Sequence, residues 1–165
     1  VYNILPNVYL SDLQRANLHK VGGVKYTPEE RAFAEALRRT LANAESPLGS
    51  EEQVQPRQEA ISVGSASTDL GDVSWNVPTS EITTATWVTG TPAHRWQAVA
   101  CDGMSIGIQG MMVAAKTMAL TGVDLFTDSQ HVQKARHEFE SRRGAFTYKP
   151  QVGDRKPQHR NKAGV

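Results

Sequence analysis

The sequence is short of cysteine, of net charge and of long apolar runs. Cys101 is the only cysteine in 165 residues, which excludes an internal disulfide and fits a reducing, cytoplasmic setting. Eighteen Lys plus Arg against seventeen Asp plus Glu leave a formal net charge of +1, without the basic excess of a general nucleic-acid binder. No uninterrupted run approaches the roughly 18 apolar residues of a membrane helix, and no basic-then-apolar leader is present. Neither nucleic acid nor a membrane is therefore an expected partner. What is there, 39% hydrophobic and 21% charged residues, suits one α/β domain with some segments outside its core. The chain opens Val1-Tyr2-Asn3-Ile4-Leu5, without Met and already apolar, which reads as a start inside a longer protein.

Helix signals are frequent. Ser11 to Gln14 has capping-box spacing, Leu10, Leu13 and Val21 give an apolar side, and Gly22-Gly23 supplies a stop. Thr27-Pro28-Glu29-Glu30 is a stronger start: a cap, Pro at the first helical position, acids in the first turn. Residues 44–60 lose periodicity and read as a loop. Ile61-Ser62-Val63 and Ile82 to Val88 have strand composition, and Trp96 to Ala100 reads as a further short strand. From Ser105 to Phe126 apolar residues cover a wide arc, which predicts a helix buried on much of its surface. Thr127 to Gln130 starts a last helix with Val132, Ala135 and Phe139 inward, ended by Gly144. Residues 145–165 read as a basic, flexible tail carrying Lys149, Arg155, Lys156, Arg160 and Lys162.

Three constellations compete for chemistry. His131 and His137 lie six positions apart, so at about 100° per residue they face different sides of a helix and cannot share an ion. Gly103-Met104-Ser105-Ile106-Gly107 matches G-x-S-x-G between an expected strand and a helix, the setting of a serine nucleophile. Ser105 acting simply as a helix cap explains the same residues. Asp69 and Asp72 share a turn, and His94 follows the next expected strand. Carboxylates and an imidazole suit Zn²⁺ or Mn²⁺, although acids in turns also cap amides.

The residues 66–78, Ala-Ser-Thr-Asp-Leu-Gly-Asp-Val-Ser-Trp-Asn-Val-Pro, resemble the S-T-D-x-G-[DN]-V-S segment of the M20 metallopeptidase and amidohydrolase family. Gly90-Thr91-Pro92-Ala93-His94-Arg95-Trp96-Gln97 is similar to that family's last metal-binding loop, and Gly110 to Lys116 to its G-M-x-x-A-A-K helix. The likeness covers about residues 1–145 in order and is nearest to the aminobenzoyl-glutamate hydrolase group.

The resemblance implies the C-terminal half of a zinc-peptidase-like catalytic domain, α/β with a short mixed sheet flanked by helices. Residues 1–9 would be the end of a lid or dimerisation domain or the crossover from it, and 10–144 the catalytic part. It implies two divalent ions, Zn or Mn, in a complete enzyme that cleaves an aryl-amide or peptide-like bond to an amino acid. His94 aligns with a metal ligand, whereas Asp69 and Asp72 would orient neighbouring groups. The remaining ligands and the general-base Glu would lie in an N-terminal half, the implied partner within a homo- or hetero-oligomer. The isolated chain, with one aligned ligand, is expected to be inactive and to bind no metal tightly. Gly107-Ile108-Gln109-Gly110 departs from the G-H-K-G of relatives, and a polar role there is expected to be lost. A serine hydrolase using Ser105 and a non-catalytic binding module are the alternatives.

Overall fold

Among the described residues six α-helices account for just over half of the backbone: α1 (Val8–Val21), α2 (Pro28–Arg38), α3 (Leu70–Ser74), α4 (Trp96–Asp102), α5 (Ser105–Thr127) and α6 (Ser129–Arg143). A 3-10 turn, Ser50–Glu52, lies between α2 and α3. They come from a computed structural model that describes residues 2–44, 46–56 and 68–153. Among those residues there is no strand, so the expected α/β class with a short mixed sheet is corrected to all-α. Trp96 to Ala100 is helical, within α4. Ile82 to Val88 is irregular: Thr86 N–H donates to Thr84 at 2.9 Å, and no ladder forms with another described segment. Its β-branched residues favour strand geometry, but a strand exists only when a second one supplies ladder partners. Ile61 to Val63 and the basic residues from Arg155 onward lie outside the described residues.

Local chemistry sets the helix ends. Asn7, not Ser11, caps α1: its Oδ1 accepts from Leu10 N–H at 2.9 Å while its Nδ2 donates to the Ala135 carbonyl on α6 at 2.7 Å. One buried amide thus caps a helix and fixes its neighbour. Gly22 (φ +82) closes α1. Thr27, the expected cap of α2, forms a reciprocal capping box with Glu30, and Asp128 caps α6. Helices α1, α5 and α6 pack on one another, with α4 against α5. Asn17, fully buried on α1, donates to Thr121 Oγ1 at 3.2 Å and Asp124 Oδ2 at 2.7 Å on α5. A second core joins Ala34 and Leu37 of α2 to Val88, Cys101 and Ile106.

Helix α5 departs from expectation. Its buried positions are Ile106, Gly107, Gly110, Thr117 and Thr121, whereas Ile108, Met111, Met112, Met118, Val123 and Phe126 are exposed, Phe126 at 93%. Gly110 explains the reversal: a Cβ there would lie 2.4 Å from the Ala85 carbonyl oxygen, so only glycine lets the chain pass so close. The buried threonines donate their hydroxyls to the helix's own carbonyls, Thr117 to Val113 at 2.8 Å and Thr121 to Thr117 at 2.9 Å. By length and composition α5 is also sufficient to cross a membrane, which the absence of an uninterrupted apolar run had argued against. Core helices of soluble proteins are as long and apolar, although here only 28% of the most apolar stretch of α5 is buried.

Candidate functional site

The turn carrying His94 is anchored from three sides. Arg38 of α2 grips it, donating to the Thr89 carbonyl at 2.7 Å and to those of Ser46 and Ala44 at 2.6 and 3.1 Å. Val88 N–H donates to the Cys101 sulfur at 3.4 Å, and Thr91 N–H returns to the Val88 carbonyl at 3.0 Å. Gly90 (φ +92) turns beside Ala44. On this base His94 is exposed and takes φ +59, the sole left-handed non-glycine among the described residues. Such a conformation costs about 1–2 kcal/mol for a side chain with a Cβ, and strain of this sort concentrates at functional positions. His94 makes no hydrogen bond with another described residue, so its imidazole is available as a ligand or proton carrier. It lines neither of the two grooves beside it, one bordered by Thr89 and Thr91, the other by Pro92 and Arg95.

The two acids sit elsewhere in the chain's hydrogen-bond network. Asp69 is exposed at the start of α3 and makes no capping bond. Asp72, half-buried, accepts from the Tyr148 hydroxyl at 3.0 Å. Among the described residues no group of three His, Cys, Asp or Glu side chains is arranged to hold a metal ion. One imidazole is not a ligand set for two divalent ions, so the residues present do not by themselves fit the expected metal centre.

Ser105 begins α5, and its hydroxyl donates to the Glu30 carboxylate, which is 5% exposed. Gln109 Nε2 donates to both Glu30 oxygens at 2.8 Å, and Thr27 N–H adds another bond at 2.8 Å. Burial works to raise the Glu30 pKa, but the bonds from Ser105, Thr27 and Gln109 outweigh it and hold the carboxyl below the usual range. A carboxylate so stabilised is a poor proton acceptor for serine. The element before Gly103 is also a helix, not the strand a nucleophile elbow needs. Gly107 serves packing, since a Cβ there would meet the Cys101 carbonyl at 2.9 Å. Gln109 therefore keeps a polar role, contrary to the expectation from its departure from G-H-K-G. The sequence announced the Thr27 cap and placed Glu30 in the first turn, but no local signal linked Glu30 to a residue 75 positions away.

Nearby groups are held in their neutral forms. Burial pushes the Cys101 thiol up, with the Asp102 charge adding to it. Burial, then the charges of Glu51 and Glu30, pushes the Tyr26 phenol well above its usual range. His131 is tied down: its Nδ1 and the Tyr9 hydroxyl share a 2.6 Å hydrogen bond.

No family model matches the chain, and no solved structure matches it. Among curated proteins it is 33% identical, over 178 aligned residues, to one of the subunits of p-aminobenzoyl-glutamate hydrolase from Escherichia coli (strain K12). The alignment takes in 94% of this chain but 35% of that protein, so the chain spans about a third of the relative's length. Nearly all of this chain is therefore similar to one part of a hydrolase of the aminobenzoyl-glutamate type, and the likeness supports an M20-like relationship.

Proposed function

We propose that this chain acts as the C-terminal part of a dinuclear-metal amidohydrolase of the M20 type, cleaving an aryl-amide or peptide-like bond to an amino acid such as glutamate. The observation that carries the reading is the 33% identity to a p-aminobenzoyl-glutamate hydrolase along 94% of the chain. His94 is this chain's contribution to binding Zn or Mn, on a turn whose backbone is held in a strained conformation. The other ligands and the general base come from an N-terminal half, in a cytoplasmic enzyme. Asp69 and Asp72 orient groups around the site. No chemical step is assigned to the chain alone, because the described residues lack a ligand set.

Complementation tests this. The 165-residue chain is assayed with p-aminobenzoyl-glutamate and Zn²⁺ or Mn²⁺, alone and mixed with the separately produced N-terminal remainder of the E. coli relative. The expected result is no turnover alone, and in the mixture a turnover abolished by chelator and by His94→Ala. Turnover that survives chelation but not a serine-reactive phosphonate would move the assignment to Ser105. Persistent inactivity in the mixture would favour a non-catalytic binding module.

A further inference from the structure

Between α1, the turn after α3, the end of α5 and α6 lies a pocket of about 440 Å³. Leu10, Val77, Pro78, Leu125, Val132 and Phe139 give it an apolar lining, and none of its residues belongs to the His94 turn. Arg136, Glu140 and Arg143 of α6 complete it. The arginines of this helix differ in one respect. Arg136 Nε donates to Glu140 Oε1 at 2.9 Å, and Arg142 Nε donates to Glu138 Oε1 at 2.7 Å. Among the described residues Arg143 has no such carboxylate: its guanidinium lies 4.8 Å from the centre of the Phe139 ring, and its Nε is buried with no hydrogen-bond partner among them.

That Nε is shut off even from water, but the rest of the half-buried guanidinium lines the pocket with no described hydrogen-bond partner, which leaves donors for a ligand. A planar guanidinium matches a carboxylate in shape as well as charge. Two guanidiniums against one carboxylate around the pocket leave one positive charge, which a monoanion balances. The apolar lining calls for a ligand that is otherwise hydrocarbon, and the volume falls in the range of small-molecule sites. We propose that this pocket binds a small monocarboxylate with an aromatic or aliphatic body, the carboxylate on Arg143 and the body against Val77, Leu125 and Phe139. The site is independent of the hydrolase reading.

The test titrates the 165-residue chain with 3-phenylpropionate, by calorimetry and by amide NMR shifts, and repeats it with neutral 3-phenylpropionamide. Saturable binding is expected, with shifts centred on α6 and on residues 76–78. The amide should bind about tenfold or more weakly, and Arg143→Gln should weaken the acid to a similar degree. Val132→Trp, at a half-exposed lining position, should block both ligands. Equal binding of acid and amide, indifference to Arg143→Gln, or no saturation by roughly 10 mM would overturn the proposal. Should Arg143→Gln fail to fold, the acid–amide comparison and Val132→Trp decide it.

Discussion

Ser105 and Glu30 are joined by a hydrogen bond from hydroxyl to carboxylate, and that bond couples the start of α5 to the start of α2. Glu30 thus serves two helices, closing its own capping box through Thr27 and receiving α5 through Ser105 and Gln109. Ser105→Ala removes one donor from a buried charge and should destabilise the fold by about 1.5–3 kcal/mol in urea unfolding. A stability equal to the native chain's would show that the bond contributes nothing.

The same carboxylate gives a pH dependence of known sign. Because Glu30 is more acidic folded than unfolded, its contribution is complete above about pH 4.3, the ordinary glutamate value, and is lost as pH falls through the lower folded value. Native chain and Glu30→Gln, unfolded by urea from pH 6 to pH 3, should therefore converge in stability at the acid end. A constant difference across that range would assign the effect to shape and not to charge.

Gly110→Ala places a methyl against the Ala85 carbonyl at 2.4 Å and should cost about 1–3 kcal/mol of stability, with α5 pushed away from the segment that leads to the His94 turn. Gly122→Ala on the same helix, where a Cβ would meet nothing within 4 Å, is the control and should be neutral or slightly stabilising. Thermal unfolding of both variants separates packing from helix propensity.

His94→Gly relieves the left-handed strain and should raise stability by up to about 1 kcal/mol, while abolishing metal-dependent turnover in the complemented enzyme. Opposite signs for the two measurements are the signature of strain held for function. A variant that is less stable would mean that the histidine side chain itself supports the turn.

The exposed face of α5 should make the isolated chain associate. Sedimentation is expected to show concentration-dependent oligomers that recede when Met111, Met118 and Val123 are changed together to Gln, Gln and Lys. A monomer at every concentration would mean that the face is tolerated in water.

The helix ends were readable where the signal is local. Thr27-Pro28 with Glu30, Gly22 and Gly144 each act within one turn of the backbone they control. The expected strands failed because a ladder needs a partner remote in sequence: Ile82 to Val88 has the composition but no second strand among the described residues, and Trp96 to Ala100 coils into α4. The apolar arc of α5 was legible, but which side faces inward was decided by the close pass of Ala85 at Gly110. Of the candidate site, His94 and its turn were visible as a likeness. The locking of Ser105 onto Glu30 and the unpaired Arg143 depend on tertiary placement that no short window contains.

Tyr2 packs on Trp75, Phe146 and Tyr148, with ring centres 6.2, 5.7 and 5.5 Å apart, and its hydroxyl donates to the Lys149 carbonyl at 3.1 Å. Residues separated by 147 positions therefore meet, and the entropy of closing that long loop is already spent within the fold. Polypeptide attached before Tyr2 and after Lys149 would leave from the same spot. The unit is thereby suited to insertion into another chain, or to circular permutation through a short linker, without its helices having to rearrange.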